Sequence, residues 1–401
     1  MQVTVSTVGS RTLPSTSRLA VETVADYQQF VSLESEWNET AERARIAHPF
    51  LRHEWIRTWW DSFGEGRDLR VIVVRSDGRI AAIAPLVVET ARMYGLSIRR
   101  MRLMHNDHTP RADFIVAEPG ERCYRALWWA LMDCSHTWDV LQLGQLPGES
   151  TTTAWISELA AASGCTTGVW RSSESPFLEL TGTWDQYTGR LTGKFRQNVR
   201  NRIARLRRTA EPQLEVIHGG TGLERAIADA VRLEESGWKR RAGTLIESDP
   251  AVHGFYRRFA ERAAERGWLR LLFLTLAGRR IAASYSLRYG DRLFLCKTGY
   301  DPEFDTCSPF KVLTYFILRD AFAEGLVEVD FLGDLEVWKQ EWTRRARSHQ
   351  WLFVFSSAAR ARVIYPLKFK VAPAVRSIAA RLTARPFPRS QRAHPSAKTL
   401  L

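Results

Sequence analysis

Acidic residues run out before the chain does. No Asp or Glu follows Glu341, whereas residues 342–401 hold thirteen of the 57 lysines and arginines, which leaves 44 basic against 44 acidic residues in 1–341. The formal charge of +13 therefore belongs to the C-terminal stretch. A body that is neutral overall offers no bulk field to draw in a polyanion. Cysteine is scarce as well: Cys123, Cys134, Cys165, Cys296 and Cys307 are odd in number and include no CxxC pair. That argues against a disulfide framework or a zinc site, and they read as reduced thiols. No apolar run approaches ~18 residues, and MQVTVSTVGSRTLPSTSRLA lacks the apolar core of a signal peptide. Neither a membrane span nor export is expected, and the cytoplasm is the default. What is present is apolar and aromatic: 45% hydrophobic and 11% aromatic residues over 401 positions can bury large cores, in two or three domains.

The most legible stretch runs from Trp268 to Trp342. It predicts strands at 268–276, 281–289 and 292–298, joined by turns at Gly278-Arg279 and Gly290-Asp291, because β-rich runs broken by glycine are hairpin signals. The loop GYDPEFDTCSPF then leads into a helix at 311–324, with Pro309 near its start and Gly325 at its end, followed by a buried strand at 327–332. Earlier in the chain, residues 1–18 read as disordered and 19–24 as a strand. Helices follow at about 26–44, where Phe30, Leu33 and Trp37 share a face, and within 48–64, whose tryptophans read as core. Strands at 69–75, 80–88, 98–104 and 112–117 surround MHNDHTPRAD, and a helix (121–133) and a strand (138–143) close this half.

The second order of elements repeats the first. Arg79-Ile80-Ala81-Ala82 matches Arg280-Ile281-Ala282-Ala283, and VLQLGQL ending at Leu146 matches VDFLGDL ending at Leu335, at offsets of 201 and 189 residues. Two copies of one α/β unit account for this. Between them lie an expected strand (177–181), a helix over 184–209 broken near Gly193, a strand (213–218) and a helix (221–235). From Arg190 to Arg208 there are eight basic residues and no acid, while Phe195, Val199, Ile203 and Leu206 share one helical face. A basic helix without interleaved exposed aromatics is weak evidence for nucleic acid, and phosphate groups of a cofactor or lipid-linked substrate would serve equally. The basic, apolar segment 358–382 suits peripheral contact with an anionic membrane, and equally a packing helix with a solvated end.

The run from Leu269 to Trp342, with GRRIAASYS, GYDPEF, SPFKV and DFLGDLEVWKQEW, resembles the GNAT acyltransferase domain of CelD-like (cellulose-biosynthesis-type) proteins, related to the FemAB transferases. HPFLRHEWIRTWW and KFRQNVRNRIARL resemble other segments of that family, so the likeness covers roughly residues 20–355. It implies an α/β (α+β) fold of two tandem GNAT-like domains, each a mixed, mostly antiparallel sheet flanked by helices. The expected divisions are a disordered 1–18, domains at 19–181 and 182–356, and a basic tail at 357–401.

The resemblance also assigns residues. Ser308, Pro309, Phe310 and Lys311 stand where such a domain holds the pyrophosphate of acetyl-CoA on helix N-terminal amides, although Phe310 replaces a customary glycine. A serine-proline cap alone would leave the same pattern. Lys339 matches a lysine near the acceptor or the developing oxyanion, or is a surface lysine between two tryptophans. Asp330 and Asp334 flank the strand end and are candidates for deprotonating an acceptor amine, with an arginine partner as the other role open to Asp330. The first-half loop resembles the substrate-side loop of FemAB proteins, in which an acidic residue is a candidate base. That makes Asp113 a catalytic candidate on the opposite cleft wall, with Asp107, Glu234, Trp238, Lys239 and Tyr300 as candidates on the substrate side. His105 and His108 lack the helical context of a metal motif, so no metal is expected. The implied reaction moves an acyl group from acetyl-CoA to an amino or hydroxyl group of a small-molecule or lipid-linked sugar acceptor. An aminoacyl-tRNA donor and a degenerate scaffold in polysaccharide assembly remain as alternatives, and nucleic acid is the weaker partner.

Overall fold

The computed structural model of the chain describes residues 19–118, 120–236 and 249–372. Its strands are β1 (Leu19–Val24), β2 (Asp68–Ser76), β3 (Arg79–Met93), β4 (Leu96–Leu103), β5 (Ile115–Val116), β6 (Val140–Pro147), β7 (Thr166–Glu179), β8 (Gln213–Ile217), β9 (Leu269–Leu276), β10 (Arg279–Tyr289), β11 (Arg292–Tyr300), β12 (Glu328–Asp330) and β13 (Ala346–Phe355). The hairpins form where the sequence permits left-handed backbone. At Asp77-Gly78, Tyr94-Gly95 and Ala277-Gly278 both turn residues have positive φ, which matches the twist of the strands they join.

The duplication is visible in the pairing. Strands β2, β3 and β4 are antiparallel neighbours, and helix Gly120–Asp133 crosses over to β6, parallel to β4. In the same way β9, β10 and β11 are antiparallel, and helix Pro309–Ala323 crosses over to β12, parallel to β11. Strands β1 and β8 add to the outer edges. The two halves fuse into one sheet in the order β1-β2-β3-β4-β6-β13-β7-β12-β11-β10-β9-β8, with β5 beside β3. Fusion depends on two strands, β7 and β13, of which the expected element order contains only the end of the first. β7 pairs with β13 as far as Pro176 and then with β12 from Phe177, so one strand spans the junction. β13, the last strand, lies between β6 and β7 and not at the edge of the second half. The expected strand at 177–181 catches only the end of β7.

Helices cover both faces, and one layer ties the halves together. Trp55, on helix His53–Phe63, meets Phe255 and Phe259 of helix Pro250–Glu265 edge-on, at centroid distances of 5.0 and 4.6 Å. Trp37, Trp55 and Trp59 are completely or almost completely buried in this shared core. Offset and edge-on ring pairs of this kind add to the burial they bring, so the tryptophans are the apolar bond between the halves. After β13, helix Ala359–Pro366 and the turn through Phe369 pack on the sheet, with Tyr365 5.5 Å from Phe355 and Phe369 5.9 Å from Phe353. The expected disordered N-terminus and the tail beyond residue 372 lie outside the described residues.

One glycine sets how closely a helix approaches the second sheet. A Cβ on Gly299 would stand 2.3 Å from the Glu234 Cα and 2.4 Å from its amide nitrogen, both backbone atoms of helix Leu223–Ser236. Gly299→Ala must push that helix off β11, at a cost of about 1–3 kcal/mol by the usual scale of overpacking. A urea midpoint lowered to match is the expected result. An unchanged midpoint would show that the helix is free to shift.

Candidate active site

Strands β11 and β12 stay together for three residues only, Arg292–Phe294 against Glu328–Asp330. β11 then runs on to Tyr300, whereas the chain leaving β12 turns away through Leu332 and Gly333, both at positive φ. A cavity of about 430 Å³ opens where the strands part. The first half has the same parting, since β4 meets β6 only at Arg100–Arg102 and Val140–Gln142. There the loop 104–114 fills the space, anchored by Ala112 N–H donating to the Gln145 carbonyl at 3.1 Å. Its residues Asp107, His108, Thr109 and Pro110 become a wall of the second-half cavity.

The residues expected at the phosphate end sit together. Ser308 has left-handed backbone (φ 47, ψ 61) and its hydroxyl does not cap the helix, which begins with the buried Pro309. Phe310 lines the cavity and meets Trp338 edge-on at 4.9 Å. Lys311 lines it too, with its Nζ 2.8 Å from Glu341 and 5.1 Å above the Phe195 ring. Tyr300 lines the cavity and donates to Asp305 at 3.1 Å. Burial and that carboxylate raise its pKa.

Lys339 is buried and turned back on its own loop. Its Nζ donates to the carbonyls of Leu332 (2.7 Å) and Asp334 (2.9 Å) and lies 3.1 Å from Glu336. It thereby holds the bend at Gly333, whose hypothetical Cβ would be 3.2 Å from the same Nζ. Asp334 is exposed on the rim. Glu234 is buried at the cavity wall with Lys297 3.9 Å away. Trp238 and Lys239 lie outside the described residues.

Asp330 and Asp113 are placed differently. Asp330 has no exposed surface, and its carboxylate accepts hydrogen bonds from Arg111 of the first-half loop, from Arg347 of β13 at 3.0 Å, and from the Leu332 N–H at 2.9 Å. Arg347 also bonds Glu328, at 3.0 Å, so two arginines offset two buried carboxylates. Asp113 does not line the cavity. It accepts from Thr152 Oγ1 at 2.5 Å and from the Phe114 N–H at 2.8 Å, on the side towards helix Thr151–Ala162. Burial pushes its carboxyl up to about 6, against the hydrogen bonds from Ser150, Thr152 and Phe114.

Arg111, Arg347, Ser173, Ser175 and His349 join the site without having been expected there. All but Arg111 lie on β7 or β13. The apolar run WLFVF at 351–355 was the available signal for β13. Among the described residues no group of three or more His, Cys, Asp or Glu is placed to hold a metal, and no helix is long and apolar enough to cross a membrane.

Two expected outcomes follow from these carboxylates. Arg111→Met leaves Asp330 buried with one arginine in place of two, and removing a partner from a buried pair costs about 3 kcal/mol, readable as a lower urea midpoint. An unchanged midpoint would mean that Arg347 alone suffices. For Asp113 the raised folded pKa means that the folded state holds a proton which the unfolded state releases between roughly pH 4 and 6. Its contribution is full below that window and is lost as pH rises through it. Asp113→Asn should therefore be more stable than the natural protein at pH 8, by about 1–2 kcal/mol after solvent screening, with the gap closing near pH 4. A gap independent of pH would show that Asp113 ionises normally.

The chain matches the acetyltransferase (GNAT) domain profile over residues 193–340, which takes in the cavity's helix and strands up to Lys339. No curated protein matches it in sequence. Among solved structures it is similar to FemX, at 12% identity and a TM-score of 0.55 over 86% of this chain and 99% of that one. It is likewise similar to a conserved protein of unknown function from Bacteroides thetaiotaomicron VPI-5482, at 12% identity and a TM-score of 0.50 over 84% and 100% of the two chains. Identities this low bear on the fold alone. Residues 193–340 are thus similar to a GNAT acetyltransferase domain, which supports an acyltransferase, and the first half repeats that domain's strand order.

Proposed function

We propose that the protein transfers an acyl group, acetyl from acetyl-CoA, to an amino or hydroxyl group of an envelope or exopolysaccharide precursor. The observation that carries this is the parting of β11 and β12 beside the start of helix Pro309–Ala323, within the GNAT domain match. Unpaired strand edges offer backbone groups to an extended amide-containing arm, and the helix start offers N–H groups and a positive dipole end to the pyrophosphate. Ser308 leaves its hydroxyl uncommitted to capping, and Lys311, ion-paired with Glu341 at 2.8 Å, is the cation beside the helix start. Phe310 is held by Trp338 and so forms part of the cavity's apolar side. Lys339, by pinning the bend at 332–334, keeps the strands apart.

The acceptor enters from the first-half side, where Asp107 to Pro110 form the wall. The CelD-like resemblance supports a sugar acceptor, small or lipid-linked. The basic C-terminal stretch would bring the enzyme to an anionic membrane on which a lipid-linked acceptor resides. Cytoplasmic placement belongs to the same proposal.

Calorimetry on the full-length protein tests the donor. Acetyl-CoA should bind, and Lys311→Ala should weaken it by about 1 kcal/mol or more, the scale of a helix-terminus charge with a lost charge-assisted contact. Saturable binding of a short aminoacyl-RNA mimic with no acetyl-CoA heat would replace this reading with the tRNA-dependent one. Silence with both ligands would favour a scaffold.

A further inference from the structure

The cavity has a wall to which the GNAT resemblance assigns no chemistry. It is made by the loop at Thr109, by Gln145, by Ser173 and Ser175 of β7, and by His349 of β13. The sheet is irregular here: the pairing of β13 with β7 slips between Ser348 and Gln350, and its pairing with β6 slips between Gln350 and Leu352. His349 therefore sits at a bulge, a feature that re-aims a side chain. Although only 3% exposed, it lines the cavity, with the Ser173 backbone as its hydrogen-bonding neighbour and no side chain partnering either ring nitrogen. Thr109 repeats the pattern, 1% exposed with an unpartnered hydroxyl on the same cavity. Buried polar atoms left without partners are costly, and the Thr109 hydroxyl and the imidazole nitrogen not engaged by the Ser173 backbone are accounted for if the partner arrives with the substrate.

We propose that His349 is the general base of the transfer, facing an acceptor that Thr109, Gln145, Ser173 and Ser175 hydrogen-bond. This rests on the acyl-CoA reading. The acceptor's amine or hydroxyl attacks the thioester carbonyl carbon, forming the C–N or C–O bond, and His349 takes the proton that the nucleophile sheds. Collapse of the tetrahedral intermediate breaks the C–S bond, and CoA leaves as the thiolate with the electron pair. The proton on His349 then passes to that thiolate or to solvent, which restores the neutral imidazole. Four neutral hydrogen-bonding side chains suit a polyhydroxylated acceptor such as an amino sugar.

A base must be neutral to act. Burial and then the Arg111 charge hold His349 below the ordinary histidine pKa, against the nearby Ser173 backbone, Asp330 and Glu149. His48, close enough to His349 to sense its charge, is itself depressed by burial and by Arg111, Arg292, His349 and Arg347. At neutral pH the imidazole is thus ready to accept a proton, and the rate should fall only as pH drops through that lowered value.

The test uses full-length protein with acetyl-CoA as donor and D-glucosamine as probe acceptor, reading thiol release with the sugar and, without it, into water. His349→Gln should lower kcat by about 10²- to 10⁴-fold and abolish the acidic limb of the pH profile, while calorimetric acetyl-CoA affinity stays within twofold. Thr109→Val should raise KM for glucosamine several-fold with kcat little changed. Nitrogen-15 NMR of histidine-labelled natural protein should show the His349 ring neutral at pH 7. Wild-type turnover in His349→Gln, a retained acidic limb, bound donor without thiol release to either nucleophile, or a protonated ring at pH 7 would each overturn the assignment. Absence of acetyl-CoA binding in the natural protein would instead remove the reading beneath it.

Discussion

The carboxylate of Asp330 is the point on which this architecture converges. It is fully buried at the end of β12, and its arginine partners come from distant places: Arg111 from the first-half loop, Arg347 from the last strand. A buried charge is tolerable only when paired and hydrogen-bonded, so the loop, the strand and the β12 terminus must arrive together. Once they do, the loop's Asp107 to Pro110 face the parted strands of the second half. The cavity wall is thereby a consequence of satisfying one acid.

Among the described residues the two copies use the gap between their parting strands differently. Both halves contain the same three antiparallel strands, the same crossover helix, and the same three-residue parallel pairing before the strands separate. In the first half the gap is occupied by the chain's own loop 104–114, and that loop serves the other half. In the second half the bend at Leu332-Gly333, held by Lys339, keeps the gap clear. β13 then completes the arrangement by lying between β6 and β7, which brings His349 and Arg347 to the junction. A single continuous sheet is the result, and its middle, where the halves meet, is where the polar side chains collect.

Local signals made much of this legible in sequence. The turns at Asp77-Gly78 and Gly278, the helix that starts at Pro309 and the strand order of both halves follow from periodicity and left-handed turn residues, and they lie where expected. Of the expected site residues, Asp107, Glu234, Tyr300, Ser308, Phe310, Lys311, Asp334 and Lys339 line one cavity. What local pattern could not reveal was pairing across the junction. β13 is separated in sequence from both its neighbours, helix Pro250–Glu265 is held by packing on tryptophans some 200 residues earlier, and Asp330's partners are 219 and 17 residues away. The FemAB likeness of its loop makes Asp113 a candidate base, yet its hydrogen bonds from Thr152 and Phe114 turn it to the other side.

The most direct measurement is a crystal structure of the full-length protein with acetyl-CoA. The thioester should lie between β11 and the bend after β12, with the pyrophosphate at Ser308 to Lys311 and the acetyl carbonyl within reach of a nucleophile held beside His349. Acetyl-CoA bound in the first half, or anywhere that leaves the gap between β11 and β12 empty, would contradict the proposed site.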